Sequence, residues 1–171
     1  EADLRIALTS DQLMLYYQPI LNIADGRVGL CEALMRWKHP TRGNIPPGEF
    51  IGLAEDSGLI MPLGRWVLRA ACAEAVLWPE PLTVSVNLSA AQFRSDELLA
   101  MVTAALADAG LPANRLELEI TESLLMSNTE RVLRTLHALS GLGVRVALDD
   151  FGTGYSSLAY LWRFPFDKVK I

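Results

Sequence analysis

Histidine and cysteine are scarce in these 171 residues: His39 and His137 are the two imidazoles, Cys31 and Cys72 the two thiols. Neither pair has the close spacing of a zinc site, and His39 lies in a proline-rich loop while His137 falls on a predicted helix, so nitrogen and sulfur metal chemistry is set aside. Both cysteines fall within apolar segments and read as buried free thiols, compatible with a reducing cytoplasm. Basic charge is also short. Fifteen Lys and Arg stand against 20 Asp and Glu, for a net charge of −5 and a pI near 5.0, which argues against a sequence-independent binder of nucleic-acid polymers, because such proteins display a basic surface to phosphate. An anionic ligand would need local positive charge instead. No apolar run reaches the ~18 residues of a membrane span, and Glu1-Ala-Asp-Leu-Arg5 is not a signal peptide. A cytoplasmic segment without membrane contact is therefore expected, in a parent protein that could itself be membrane-tethered. The abrupt start leads us to expect an excised domain.

What is present is apolar and regular. The chain is 51% hydrophobic with a mean hydropathy of +0.24, enough for one domain with a sizeable core. A short helix is predicted over 2–8, then a strand over Leu13–Ile20, a tight turn at Asp25-Gly26 and a second strand over Val28–Trp37, which together make a hairpin. Residues 38–48 read as loop. A helix follows over Glu49–Asp56, and another from about Leu63 to the prolines Pro79 and Pro81. From there strand and helix alternate. Strands are predicted at Thr83–Leu88, Leu116–Thr121, Val144–Asp149 and Asp167–Ile171. Between them come a helix capped by Ser95, a helix opened by the capping-box pair Ser127 and Glu130, and a short helical stretch around Ser157–Leu161.

Such βα units at roughly 30-residue spacing imply a parallel sheet, with two possible closures: an open doubly wound sheet or a (β/α)8 barrel. Length favours neither. A barrel typically takes about 250 residues, so here its last units would be missing and only about the first two thirds present.

The chemistry concentrates at strand ends. Val144-Arg-Val-Ala-Leu runs into Asp149 and Asp150, and then into the glycine-rich Phe-Gly-Thr-Gly-Tyr-Ser-Ser157. Adjacent carboxylates repel, and a site that keeps both ionised usually contains a cation. Asn87, Glu119 and Lys170 sit in or at the ends of neighbouring predicted strands, and Glu32 interrupts an apolar one. Glu32, Asn87, Glu119, Asp149 and Asp150 are hard oxygen donors, which suits Mg²⁺ or Mn²⁺ rather than Zn²⁺. Five donors allow two ions with one shared carboxylate, a clamp for phosphoryl displacement. Lys170 could orient water or offset developing charge. A divalent-metal aldolase or enolase-like barrel is the competing chemistry, but no acid–base pair stands out for it beyond these ligands.

These same residues resemble the blocks of the EAL domain family. Glu32-Ala33-Leu34 extends to Met-Arg36-Trp37. It is followed in order by Val86-Asn87-Leu88-Ser89, Glu117-Leu-Glu119-Ile-Thr-Glu122-Ser123, Asp149-Asp150-Phe-Gly-Thr-Gly-Tyr-Ser-Ser157 and Phe166-Asp-Lys-Val-Lys170-Ile171. The resemblance implies a TIM-type (β/α)8 barrel with an antiparallel first strand and metal-dependent hydrolysis of cyclic di-GMP to linear pGpG. It implies metal ligation by Glu32, Asn87, Glu119, Asp149 and Asp150, with Lys170 assisting the water. By the same resemblance Gln18, Leu34 and Arg36 contact substrate together with Asn87 and Asp150, and Glu122 fixes the loop after Asp150. A homodimer, and an upstream sensor or diguanylate cyclase-type domain, are implied partners. Two members of the family's site, a late-strand glutamate and glutamine, would lie past Ile171, so the chain alone is expected to be inactive or poorly folded. The alternative within the family is a silent cyclic di-GMP receptor.

Overall fold

A computed structural model describes residues 1–125, 129–152 and 162–171. The chain folds as helix α1 (Ala2–Ala7), strands β1 (Leu13–Leu21), β2 (Val28–His39) and β3 (Gly43–Ile45), helices α2 (Pro47–Asp56) and α3 (Ile60–Ala75), strand β4 (Thr83–Asn87), helix α4 (Leu98–Ala109), strand β5 (Leu116–Thr121), helices α5 (Glu122–Leu125) and α6 (Thr129–Gly141), and strands β6 (Arg145–Asp149) and β7 (Lys168–Val169). Ser127, Gly154 and the stretch Ser157–Leu161, to which the sequence assigned a cap, a loop and a helix, lie outside the described residues.

Among the described residues one seven-stranded sheet runs β1-β2-β4-β5-β6-β7, with β3 paired to β2. The hairpin is antiparallel, so β1 opposes β2, whereas β2, β4, β5, β6 and β7 are parallel. This strand order decides between the two closures. A doubly wound sheet reverses direction at a switch point, but here each new parallel strand is added on the same side of the last, the winding of a barrel. The fold is an α/β TIM-type barrel in part, with an antiparallel first strand.

Strand alternation puts the core outside the sheet. In β5, Leu116, Leu118 and Ile120 are buried with Val84 and Val86 of β4 and Val146 and Leu148 of β6, against Leu68 and Cys72 of α3, Val102 of α4 and Leu136 of α6. Burying each such side chain stabilises by about 1.5–3 kcal/mol. The period-2 partners Glu117, Glu119 and Thr121 consequently face the opposite, inner side. A second, smaller core joins Leu4, Trp37, Ile45, Phe50 and Leu63 beneath the hairpin.

Local differences from the sequence reading have simple causes. Residues 38–48 are not all loop: β3 pairs Ile45 with Trp37, because the long β2 offers a free edge for three residues. Helix α2 starts at Pro47, whose fixed φ suits a first turn. The N-cap position of α4 is Glu97, whose side chain makes no capping hydrogen bond; Ser95, two residues earlier, closes a 3₁₀ turn over Ala90–Arg94 and accepts a hydrogen bond from the Glu97 amide at 3.1 Å. That turn is opened by Ser89 and Gln92 in a capping box, a spacing readable in the sequence. Cys72 is buried as expected, but Cys31 is only half-buried.

Candidate functional site

Three strands bring acids to one ammonium. Glu32 on β2 is in register with Ser85 of β4, Asn87 with Glu119 of β5, and Thr121 with Asp149 of β6, so all present side chains to the inner face near the carboxyl ends of the parallel strands. Lys170 enters just past β7. Its Nζ donates to Glu119 Oε2 at 2.6 Å and Asp149 Oδ2 at 3.2 Å, and lies 3.5 Å from Glu32 Oε2. Asn87 completes the group, its Nδ2 donating to Glu32 Oε1 at 2.8 Å.

The electrostatics are unbalanced towards negative. Burial pushes the Glu119 carboxyl above its ordinary range, and the nearby Glu32 charge adds to this, against the opposing effect of Lys170. Burial would lower Lys170, but the Glu119 hydrogen bond, the charges of Glu119 and Glu32 and the Asp149 contact together hold it above its usual value. One ammonium thus serves three carboxylates. Glu119 Oε1 and Ser85 Oγ are buried without a well-formed hydrogen bond, although Ser85 lies close enough to favour the Glu119 charge. An orphaned carboxylate oxygen in an all-oxygen, over-negative cluster fits a hard divalent cation in kind. Among the described residues, however, no three His, Cys, Asp or Glu side chains are arranged around one point for a metal; Lys170 Nζ stands where the carboxylates converge.

The other sequence-predicted residues are placed around this centre. Asp150 is exposed, in left-handed backbone at φ 54°, and its amide donates to Asp149 Oδ1 at 2.9 Å. Asp tolerates that conformation better than most residues, and such strain is typical of functional turns. Glu122, buried at the start of α5, accepts a hydrogen bond from the Gly152 amide at 3.0 Å, which ties down the turn that follows Asp150. Gln18 lies directly across the hairpin from Glu32. Leu34 and Arg36 follow Glu32 on the same face of β2. The Arg36 guanidinium donates to the Met35 carbonyl and sits 5.5 Å from the centroid of the Tyr16 ring.

Tyr16 is the residue the sequence reading missed. It pairs with Leu34 across the hairpin and is 55% exposed at the mouth of the site; its position two residues before Gln18 was the available signal. Beside Leu34 and Asn87, a cavity of about 490 Å³ runs between the sheet and α2–α3, lined by Pro47, Ile51, Glu55 and Ser89. The histidines take no part: His39 accepts hydrogen bonds from the Thr41 and Arg42 amides, and His137 is exposed on α6.

A partial parallel barrel with acids, an amide and a lysine gathered at its carboxyl edge defines a class of α/β barrel proteins whose chemistry is built on strand ends. The chain belongs to the EAL domain family, which it matches over residues 1–171. It is 50% identical over 175 residues to the cyclic di-GMP phosphodiesterase NbdA of Pseudomonas aeruginosa, covering all of this chain and 22% of that protein. It is 54% identical over 169 residues to an uncharacterized signaling protein of Caulobacter vibrioides, covering 99% of this chain and 21% of that one. Among solved structures, the phosphodiesterase PaMucR in complex with c-di-GMP superposes with a TM-score of 0.95 at 45% identity, over 99% of this chain and 70% of that one. The FimX EAL domain of Pseudomonas aeruginosa bound to c-di-GMP gives 0.90 at 26%, over 99% and 69%. The chain spans about a fifth of the length of these curated relatives. Among the described residues no helix is long and apolar enough to cross a membrane.

Proposed function

We propose that the protein carrying this domain hydrolyses one phosphodiester bond of cyclic di-GMP, giving linear 5′-pGpG. The observation that carries this reading is the meeting of Glu32, Glu119 and Asp149 around Lys170, with Glu119 Oε1 left unsatisfied. Glu32, Asn87, Glu119, Asp149 and Asp150 would hold Mg²⁺ or Mn²⁺ as a pair of ions, which would supply Lewis-acid chemistry for phosphoryl displacement. Lys170, presented at the same edge, orients the attacking water and offsets charge developing on phosphorus. Arg36 supplies a guanidinium to a phosphate oxygen, Gln18 flanks it across the hairpin, and Leu34 and its neighbouring cavity are suited to a purine. Glu122 fixes the backbone that carries Asp150. In the net reaction water adds across one P–O3′ bond, the hydroxyl going to phosphorus and the proton to the departing ribose oxygen.

The domain reading extends to the whole of residues 1–171. A cytoplasmic setting, a homodimer and an upstream sensor or diguanylate cyclase-type domain belong to the same proposal. The test is product formation by the full-length protein: pGpG is expected with Mg²⁺ or Mn²⁺, none with chelator, and none from Glu32→Ala. Full activity in that variant sinks the assignment. A silent receptor is the second reading, supported by the similarity of the chain to the FimX EAL domain, which is bound to c-di-GMP. It predicts nucleotide binding without turnover in the presence of metal.

A further inference from the structure

Lysine is rare in this chain, which contains Lys38, Lys168 and Lys170 and no others. Two of the three stand two residues apart, Lys168 in β7 and Lys170 just past it, and face the sheet's inner side. Lys168 Nζ donates to Glu117 Oε1 at 2.6 Å, and Lys170 Nζ donates to Glu119 Oε2 at the same 2.6 Å. The two acids are likewise two residues apart on β5, so the chain builds one rung directly below the other. Both rungs pass over β6. There Ala147 is fully buried, in register with Glu119 on one side and Lys168 on the other, and its methyl leaves room for the lysine stems to cross. The Glu117 side chain is only 3% exposed.

We propose that Lys168 is a positioning residue for the site: by engaging Glu117 it withholds that carboxylate from Lys170. The proposal rests on the hydrolase reading above and deepens it. A buried carboxylate without a counter-charge must capture a cation or take up a proton. Lys170, on a flexible four-carbon stem, can reach either of two acids one rung apart. With Glu117 satisfied from below, Lys170 is left to Glu119, Asp149 and Glu32 at the carboxyl edge. Backbone contacts alone do not choose between rungs. Strand β7 is two residues long, pinned by Asp167, whose amide and carboxylate both bond Val146, and by the Lys170 amide on the Leu148 carbonyl. These bonds fix the Lys170 backbone and leave its ammonium free to drop a rung. Exposed Arg145, in register with Glu117, is the competing partner.

The test uses the full-length protein with Lys168→Met, Glu117→Gln and the double variant, with kcat normalised to folded protein. Lys168→Met is expected to lose about tenfold or more in kcat, with KM for cyclic di-GMP within about twofold, as a misplaced catalytic group would. Glu117→Gln and the double variant are expected within about twofold of wild type in kcat, because no carboxylate then competes. A Lys168→Met protein that melts earlier but keeps its kcat overturns the proposal and leaves a structural brace. If Lys168→Met does not fold, a tenfold loss in Glu117→Gln overturns it equally. Should wild type turn over no cyclic di-GMP, the hydrolase reading fails on its own. The crystal structure of Lys168→Met then decides: Lys170 Nζ on Glu117 supports the positioning role, and Lys170 still on Glu119, with Arg145 at Glu117, refutes it.

Discussion

Lys170 and Glu119 meet at 2.6 Å although 51 residues separate them and a whole strand lies between theirs. The pair is the internal counter-charge of an otherwise acidic edge. Lys170→Met should therefore destabilise the protein in chelator by about 2–3 kcal/mol, below the full cost of breaking a buried pair because the lysine keeps some exposure. A divalent cation should return much of this, since saturation at a hundredfold excess over Kd stabilises by about 2.7 kcal/mol. Thermal melting of wild type and variant with EDTA and with Mg²⁺ measures both. An equal cation response in Glu119→Gln would place the ion elsewhere.

The guanidinium of Arg36 rests against the Tyr16 ring. A contact of this kind at an exposed site contributes about 0.5–1 kcal/mol. Tyr16→Ala should weaken cyclic di-GMP affinity roughly two- to fivefold, and Tyr16→Phe should not. Calorimetric titration in a catalytically dead background gives the comparison.

In the turn after Asp149 the Gly152 amide is held by the Glu122 carboxylate. Removing Glu122 leaves the Gly152 amide without that bond, at a cost of about 1.5–3 kcal/mol for a hydrogen bond to a charged group. Glu122→Ala should lower kcat by about tenfold or more, and Glu122→Gln, which retains an acceptor oxygen, should recover most of it. Equal losses in the two would mean that the negative charge, not the tie to Gly152, matters.

Burial pushes the Cys72 thiol up from its ordinary 9.0 to about 12, and Tyr17 is raised from 10.0 to about 12, chiefly by burial with help from Glu74 and Cys72. Both groups hold their protons more tightly in the folded chain. Their stability contribution is therefore complete below pH 9 and is lost as pH climbs towards 12. For Cys72 alone the loss between pH 8 and 10.5 is about 2 kcal/mol. Denaturant unfolding at the two pH values should show a smaller decline for Cys72→Ala. At neutral pH, alkylation of Cys72 should track global unfolding, while half-buried Cys31 reacts first.

Much of the architecture was legible because strand and helix periods are written in apolar spacing. Leu116-Glu-Leu-Glu-Ile-Thr121 declares a strand with one apolar and one acidic face, and the hairpin of β1 and β2 follows from β-formers flanking Asp25-Gly26. Short elements were not legible. Strand β3 exists because β2 offers it an edge, and α4 begins two residues later than the Ser95 cap would place it, with Glu97 at the N-cap position.

The sequence by itself singled out the residues on which the proposed chemistry rests: Glu32, Asn87, Glu119, Asp149 and Lys170 are polar exceptions in apolar strands, and the fold brings them to one edge. It also determined that a parallel sheet forms, because βα alternation permits little else. Tertiary structure decided the rest. Whether the sheet winds as a barrel depends on which strand edge each βα unit joins, which no local pattern encodes. That Lys170 engages Glu119 while Lys168 engages Glu117 depends on strand stagger. The placement of Tyr16 against Arg36 depends on hairpin register. These are contacts between side chains distant in sequence, fixed only once the strands have packed.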